Sequence, residues 1–430
     1  MNLIREKKTY VLAAGVVILL TAYWSLVGLY PVALFAAAMA LIALGFCLKS
    51  TDAAVFLVML VPNVMLVKYE GFGGALLGYV LLLFALRLVL LERRKITVDN
   101  RFAALVIAHL VIVGISVILN RNTSLVSSVA RFLGMLIFAL WIIGNCKGEE
   151  KLREKLLDAY VFGCVMNVIS TFVFHHFAAE ALQLRFFAGI NNDRNYFSAA
   201  LAVGMQFALI RLYANRRIDV KNCVYLLILL LGGIVSASRT FIVLCVFALA
   251  LFILTLVNLS DKKQLRIVLP LLALVAVGGL LSPVGGKLLE VLRRFTGENV
   301  LSANKRTDEW VYYLGRAFST PLGALFGAGS AARVIAAGEY RLAEHSTYVQ
   351  AIFETGLLGL GSFIAVIVAL AGRFFTGVRR FAGFLPLITL LVAFSMLSAY
   401  YSDLFNYSLM LCLCALSLPE LARIKEESAL

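Results

Sequence analysis

Apolar residues along this chain fall into runs of about 17–25 residues, separated by polar segments. Because a helix rises 1.5 Å per residue, a run of that length crosses the ~30 Å hydrocarbon core of a bilayer. Helices are expected because lipid cannot hydrogen-bond to open backbone groups. The candidate spans lie at about 10–28, 30–48, 53–67, 73–91, 102–119, 124–144, 156–178, 195–213, 222–237, 240–258, 267–282, 347–371, 383–401 and 404–418. Several are short, so the pattern predicts about 12–14 transmembrane helices.

Composition and charge agree with a membrane protein. Of the 430 residues, 62% are hydrophobic and 15% are charged, which leaves too few polar residues to cover a water-soluble protein. If the N-terminus is cytoplasmic and the spans alternate, Lys and Arg concentrate in the cytoplasmic connections and are sparse in the short outer ones, as the positive-inside rule requires. The net charge of +15 therefore reflects topology and not nucleic-acid binding. Both termini are predicted to be cytoplasmic.

One connection, 283–346, is much longer than the others and is placed outside by the same alternation. Long loops in a compact domain are usually functional. Residues 286–295 resemble a helix lying in the membrane interface, and 306–318 has apolar residues at helical spacing, whereas Pro321 is expected to break that helix. The predicted fold is an all-α membrane protein, with one polytopic bundle of about 12–14 transmembrane helices over 1–430 and one long, partly helical extracytoplasmic loop.

Cysteine and histidine usage gives no sign of a metal site. The seven Cys residues fall within spans or at their cytoplasmic ends, so the sequence indicates neither an outer disulfide nor a metal-ligand spacing. The chain has four His residues, of which two are adjacent. We expect no metal and no other cofactor.

Some ionisable residues lie inside the predicted spans, where each costs about 2.5–3.5 kcal/mol on insertion scales. Arg87 and Arg211 lie toward cytoplasmic ends, where their side chains can snorkel to water. Arg131 is compatible with two interpretations, an outer cavity or a partner on a neighbouring helix. His109 is interpreted as an interhelical hydrogen-bonding residue, with a proton relay as the alternative.

Arginines collect at the outer ends of the spans. Arg185 and Arg194 flank a short outer loop, Arg239 lies in a tight turn between two spans, and Arg306 opens the loop helix. Taken singly, Arg185 and Arg194 also fit ordinary interfacial anchors. Because guanidinium groups suit forked recognition of phosphate oxygens, the four together, with His345 beside them, predict a binding rim for a diphosphate at the outer leaflet.

Glu354 is expected to face this rim. It lies on the same helix face as Gln350 and about 13 Å deeper than His345 at 1.5 Å per residue. A carboxylate at that depth needs a partner, and we expect one of the outer arginines to supply it.

The polar segments occur in an order that resembles a known family. They are Asn191–Ser198, Ser238–Thr240 between two spans, Arg306 with Trp310, Gly327–Gly329, and His345–Tyr348 running into Glu354–Gly359. This order is similar to that of the O-antigen ligase and repeat-unit polymerase superfamily of bacterial envelope glycosyltransferases. The likeness covers about 185–360, and the flanking helices match only in hydropathy. Two departures are a turn at 327–329 leaner in glycine and Asp193–Arg194 where proline is often found.

The resemblance implies a metal-independent transfer of a glycan from a polyprenyl (undecaprenyl) diphosphate carrier to an acceptor hydroxyl. It implies that Arg239 binds the diphosphate and stabilises the leaving group, and that Arg306 is a second phosphate contact. His345 would orient or deprotonate the acceptor hydroxyl. The remaining residues of the implied substrate-binding set are Arg185, Arg194, Asn195, Trp310, Tyr348 and Glu354, of which Glu354 would position Arg or His.

Two acceptors fit this class. A polymerase extends a carrier-linked glycan of a capsule, exopolysaccharide or O-antigen, and a ligase moves the finished chain to lipid A core or another terminal acceptor. We favour the polymerase. The implied location is the bacterial cytoplasmic (inner) membrane with the active site on its outer face, and other membrane proteins of polysaccharide assembly are candidate partners. The competing classes are a polysaccharide or lipid transporter (flippase), which would need midplane polar residues reached from both sides, and a structural membrane subunit.

Overall fold

The computed structural model describes residues 48–63, 68–69, 74–145, 150–182, 193–215, 218–236, 238–259, 305–339, 344–374 and 381–416, with a few single residues between 263 and 270. Within these ranges the chain is helical, apart from turns, three short 3-10 segments and a two-residue antiparallel pair of β1 (Lys68–Tyr69) with β2 (Gly74–Ala75). The predicted all-α class is confirmed for this part of the chain.

The helices before the long connection are α1 (Ser50–Leu60), α2 (Leu76–Glu92), α3 (Asn100–Asn120), α4 (Ser124–Asn145), α5 (Glu150–Leu182), α6 (Arg194–Asn215), α7 (Val220–Val235) and α8 (Arg239–Asn258). Those within and after it are α9 (Lys305–Ala317), α10 (Pro321–Phe326), α11 (Ala331–Ala336), α12 (Thr347–Phe374), α13 (Leu385–Phe394) and α14 (Asp403–Leu416). The 3-10 segments are 61–63, directly after α1, Arg93–Lys95 and Phe381–Phe384.

In the described part of the chain, six helices are long and apolar enough to cross a membrane, namely α3, α4, α5, α6, α8 and α12. Helices α1, α7, α13 and α14 are apolar but shorter. By length and composition, these helices support the prediction of a membrane protein. The predicted spans at 10–28, 30–48 and 267–282 lie outside the described residues, as does the predicted interfacial helix at 286–295.

One predicted span is wrong in its extent. The apolar pattern predicted a helix over 383–401, but α13 ends at Phe394 and residues 395–402 form turns. Side chains of α12 satisfy the backbone there, because the Ala399 N–H donates to Thr347 Oγ1 (3.1 Å) and the Tyr400 N–H donates to Gln350 Oε1 (3.0 Å). Non-helical backbone inside an apolar bundle needs such partners.

Helix α14 forms the centre of the bundle. Each of its residues is buried, and it packs against α4, α5, α6, α12 and α13. Asp403 at its start forms an ion pair with Arg131 of α4 (Nε–Oδ2 3.0 Å), and the Arg131 guanidinium lies 5.0 Å from the Tyr79 ring centroid. Of the two interpretations of Arg131, the structure therefore supports a partner on a neighbouring helix.

The other ionisable residues that the sequence placed inside predicted spans are also bonded within the protein. His109 Nδ1 lies 2.8 Å from Ser362 Oγ, and its Nε2 lies 2.5 Å from Tyr401 Oη, as expected for an interhelical residue. The buried Arg87 guanidinium donates to the Leu48 carbonyl (2.7 Å), and Arg211 forms an ion pair with Asp158. Arg87 therefore hydrogen-bonds to the protein backbone, where we had expected its side chain to snorkel to water.

The described part of the long connection folds into α9, α10 and α11. Helix α9 confirms the helix predicted at 306–318. Helix α9 ends at Ala317, so it does not continue through Pro321, as expected. Pro321 instead begins α10, where the Thr320 hydroxyl accepts a hydrogen bond from the Gly323 N–H (3.0 Å). Proline suits the first turn of a helix because its missing N–H would have no partner there.

Glycines allow this segment to lie directly on α12. Gly356 (φ +72°) interrupts α12, and a Cβ at this position would lie 2.2 Å from the Leu325 carbonyl carbon. Likewise, a Cβ at Gly327 (φ +87°) would lie 2.5 Å from the Glu354 carbonyl carbon. The Ala328 N–H donates to the Phe353 carbonyl (2.7 Å). Backbone contacts this close fix the loop segment over the start of α12.

Candidate functional site

The N-terminal ends of α6 and α8 lie side by side. Arg194 is the first residue of α6 and Arg239 is the first residue of α8. Between them, Asn195 Oδ1 accepts hydrogen bonds from Ser238 Oγ (3.0 Å) and Thr240 Oγ1 (3.3 Å). The predicted substrate-binding residue Asn195 therefore joins the two helix starts.

The starts of α9 and α12 join the same end of the bundle. Trp310 Nε1 of α9 donates to the carbonyl oxygen of Glu344 (2.8 Å), just before α12. The turn after α13 links α12 to α6, because Thr347 Oγ1 donates to the Leu397 carbonyl (2.7 Å) and the Tyr196 hydroxyl donates to the Ser398 carbonyl. Four helix N-termini, each worth about half a positive charge, thus converge on one region.

Three of the predicted arginines come together there. Arg239 is exposed, whereas Arg194 and Arg306 are partly buried. Burial and the nearby charges of Arg239 and Arg194 lower the pKa of Arg306, and the carboxylates of Glu309 and Asp193 oppose them. Arginine stays charged under such conditions, so the region is a concentrated cationic surface. We call Arg194, Arg239 and Arg306 the arginine cluster.

His345 lies beside the arginine cluster. It immediately precedes α12 and has a left-handed backbone (φ +44°), which is uncommon for a non-glycine residue and is maintained by the contacts on either side. Burial and the Arg306 charge lower the pKa of His345, and the Asp193 carboxylate opposes this. The imidazole is therefore neutral near pH 7 and can accept a proton.

Two buried carboxylates lie next to the site and were missed from the sequence. Glu309 and Glu344 are 2% and 1% exposed. Burial, with the Glu309 charge, raises the pKa of Glu344 to about 7. Glu309 lies four residues before the buried Tyr313, so the helical spacing could have placed it on the inner face of α9.

Asp193 was also missed as a site residue. Its Oδ1 accepts hydrogen bonds from the backbone N–H groups of Asn195 (2.7 Å) and Tyr196 (3.3 Å), so it is the N-cap of α6. An Asp directly before an apolar helix is the sequence signal for such a cap.

The prediction that an outer arginine pairs with Glu354 is wrong. In the described part of the chain its buried carboxylate accepts a hydrogen bond from Gln350 Nε2 (3.1 Å), and no arginine there forms an ion pair with it. The two residues lie one turn apart on α12, so the local partner is available without bringing a charged side chain deeper.

The remaining predicted site residues are Tyr348, Trp310 and Arg185, and they differ in where they lie relative to the arginine cluster. The Tyr348 hydroxyl donates to the Leu391 carbonyl of α13 (2.9 Å), which ties this side chain to the bundle. Trp310 supports the backbone next to His345. Arg185 lies outside the described residues. The structure thus brings together Arg194, Asn195, Arg239, Arg306, Trp310 and His345.

The arrangement suits anion binding beside a proton acceptor. Among the residues that the structure describes, no three His, Cys, Asp or Glu side chains are grouped as they would be around a metal ion.

The chain was compared with models of protein families, with curated proteins and with solved structures, and it matches none of them.

Proposed function

We propose that the protein is a glycosyltransferase of the bacterial cytoplasmic membrane that moves a glycan from a polyprenyl diphosphate carrier to an acceptor hydroxyl, at the outer face. One observation carries the proposal: Arg194 and Arg239 lie near Arg306, and Arg306 lies beside a neutral His345, where four helix N-termini meet. The sequence resemblance to O-antigen ligases and repeat-unit polymerases, which is carried by the same segments, also supports it.

The arginine cluster suits the diphosphate. Guanidinium groups bind phosphate oxygens in forked pairs, and helix N-termini add backbone N–H donors and positive potential. Negative charge builds on the leaving diphosphate as its bond to the sugar breaks. Donors already aimed at that position stabilise the transition state more than the bound donor substrate.

His345 supplies the other half of the reaction. Its neutral ring nitrogen takes the proton of the acceptor hydroxyl while that oxygen forms a bond to the anomeric carbon of the donor sugar. The bond from this carbon to the diphosphate oxygen breaks, and its electron pair stays on the phosphate. General-base assistance of this kind contributes about 10²–10⁴-fold to a rate.

We place the enzyme in polymerisation of repeat units of a surface polysaccharide, with ligation to lipid A core or another terminal acceptor as the alternative. The two differ in the acceptor alone. Lengthening of the carrier-bound glycan would identify a polymerase, and appearance of the glycan on another acceptor would identify a ligase.

The proposal is tested by glycan transfer in the reconstituted protein, measured as released polyprenyl diphosphate. Arg239→Ala, Arg306→Ala and His345→Ala should each reduce transfer at least about 100-fold, while the amount of protein in the membrane is unchanged. Arg316→Ala is the matched control, because Arg316 pairs with the exposed Glu339 away from the cluster. Full activity of the Arg239 or His345 variant would refute the assigned roles.

A transporter is the second candidate, and the buried Arg131–Asp403 pair is the observation in its favour. Charged residues inside a membrane bundle often mark a transport path. The same assay separates the classes, because a transporter moves the glycan lipid across the bilayer and releases no carrier diphosphate.

A further inference from the structure

Asp193 is attached firmly to the start of α6. Its Oδ1 accepts from the Asn195 and Tyr196 N–H groups, and its backbone carbonyl accepts from the Phe197 N–H (3.0 Å). Asn195 is in turn bonded to Ser238. The carboxylate is therefore a fixed negative charge, and its second oxygen, Oδ2, is not used by the cap.

The start of α6, which carries this charge, is joined to the segment that carries His345: the Tyr196 hydroxyl donates to the Ser398 carbonyl, and Thr347 Oγ1 donates to the neighbouring Leu397 carbonyl (2.7 Å). The charge is within electrostatic reach of both His345 and Arg306. The Asp193 carboxylate raises the pKa of each, whereas Arg306 lowers the pKa of His345. The charged groups facing the imidazole are thus Arg306 from α9 and Asp193 from the start of α6. Behind Arg306 lie Arg194 and Arg239, which are cationic as well.

We propose that Asp193 is a positioning residue for His345, supporting the positive charge that the imidazole gains when it takes the acceptor proton. An imidazolium formed beside Arg306 alone would be opposed by a like charge, so a histidine in that position would be a weak base. A fixed carboxylate within electrostatic reach offsets this repulsion and makes the imidazole a better base. This inference rests on the proposed function only for the identity of the proton donor.

The capping role and the charge can be separated by substitution. Asn caps a helix about as well as Asp, so Asp193→Asn keeps the start of α6 and removes only the charge. Asp219→Asn is the matched control, since Asp219 caps α7 by accepting from the Lys221 N–H (3.1 Å) outside the cluster.

The first measurement needs no glycan substrate. The purified full-length protein, labelled on histidine, is titrated by NMR, with the His345 signal assigned from a His345→Gln sample. Asp193→Asn should lower the pKa of His345 by about one unit, because a neighbouring negative charge is lost, and Asp219→Asn should leave it unchanged. An unchanged or higher pKa of His345 in Asp193→Asn would overturn the proposal.

The second measurement is glycan transfer against pH. Because His345 must be neutral to act, the acid limb of the profile should move to lower pH in Asp193→Asn, and the plateau rate should fall about tenfold. Asp219→Asn should match the unsubstituted protein. A plateau rate of Asp193→Asn equal to that of the unsubstituted protein would refute the positioning role. Absence of transfer by the unsubstituted protein would instead refute the proposed function, and the titration would still decide whether Asp193 supports the charge of His345.

Discussion

At the scale of single residues, guanidinium groups and carboxylates lie close together in the site. Arg306 has two other guanidinium groups near it, and Asp193 and Glu309 oppose their combined charge. Behind them Glu344 is almost completely buried and feels the charge of Glu309. Like charges in a region of low polarity cannot all ionise at neutral pH, so protonation of these acids is coupled to the packing of the site.

Glu344 should make stability depend on pH. Its pKa is raised from an ordinary value of 4.5 to about 7, so the folded protein binds this proton more tightly than the unfolded chain does. The resulting stabilisation is complete below about pH 4.5 and is lost as the pH rises through about 7. We expect this effect to lower the free energy of unfolding of the unsubstituted protein by on the order of 3 kcal/mol between pH 5 and 8. In Glu344→Gln the side chain stays neutral, so thermal unfolding measured over the same pH range should not show this decrease.

The control for this measurement is Glu339→Gln, because Glu339 is exposed and paired with Arg316. It should unfold with the same pH dependence as the unsubstituted protein. If Glu344→Gln also kept that dependence, Glu344 would not be the group that titrates.

At the scale of elements, the site depends on how α10 and α12 touch. Gly356 and Gly327 adopt positive φ angles at the two sides of the contact, and both lack the Cβ that would separate the backbones. Since α9 is joined to α10 through the turn at 318–320, this contact also sets where α9 presents Arg306. The loop segment and the kinked helix therefore form one positioned unit.

Gly356→Ala should disrupt that unit. The new Cβ would lie 2.2 Å from the Leu325 carbonyl carbon, and φ at this residue is +72°. We expect a loss of about 1–3 kcal/mol in unfolding free energy, measured by thermal unfolding, together with reduced glycan transfer.

Gly361→Ala is the control in the same helix, because its Cβ would meet nothing within 4 Å. Alanine there should be neutral or stabilising by about 0.5–1 kcal/mol. Equal stability of the two alanine variants would show that the α10 contact does not constrain α12.

At the scale of the whole molecule, α14 is surrounded by other helices and carries Asp403 into the interior. A buried ion pair is weak evidence for net stability, because both charges lose their water. Removing Asp403 is nevertheless destabilising, because the Arg131 charge would stay buried without a counter-charge. The pair therefore specifies which face of α4 meets the central helix.

Asp403→Asn should destabilise the protein by about 3–5 kcal/mol, because it leaves Arg131 buried without a counter-charge. The double variant Arg131→Met with Asp403→Leu should recover most of this loss, as measured by thermal unfolding in detergent. A double variant as unstable as Asp403→Asn would mean that the polar pair itself is required for folding. If the double variant were stable and still transferred glycan, the pair would have no part in the reaction.

Local patterns accounted for most of the helices. The apolar runs matched α3, α4, α6, α8 and α12 closely, because membrane spanning imposes both a length and a composition on each segment. Helix α9 followed from helical spacing alone. Where the apolar pattern failed, at 395–401, long-range side-chain hydrogen bonds from α12 replaced those of a continued helix.

By itself, then, the sequence determined the helical class, most helix positions and the residue types that stand at helix starts, since these depend on neighbours along the chain. Only the tertiary structure decided which of them meet. Arg131 forms an ion pair with Asp403, and Glu354 accepts a hydrogen bond from Gln350. Asp193 lies near His345 and Arg306. Those outcomes depend on distances between segments far apart in the chain, which local hydropathy and spacing do not encode.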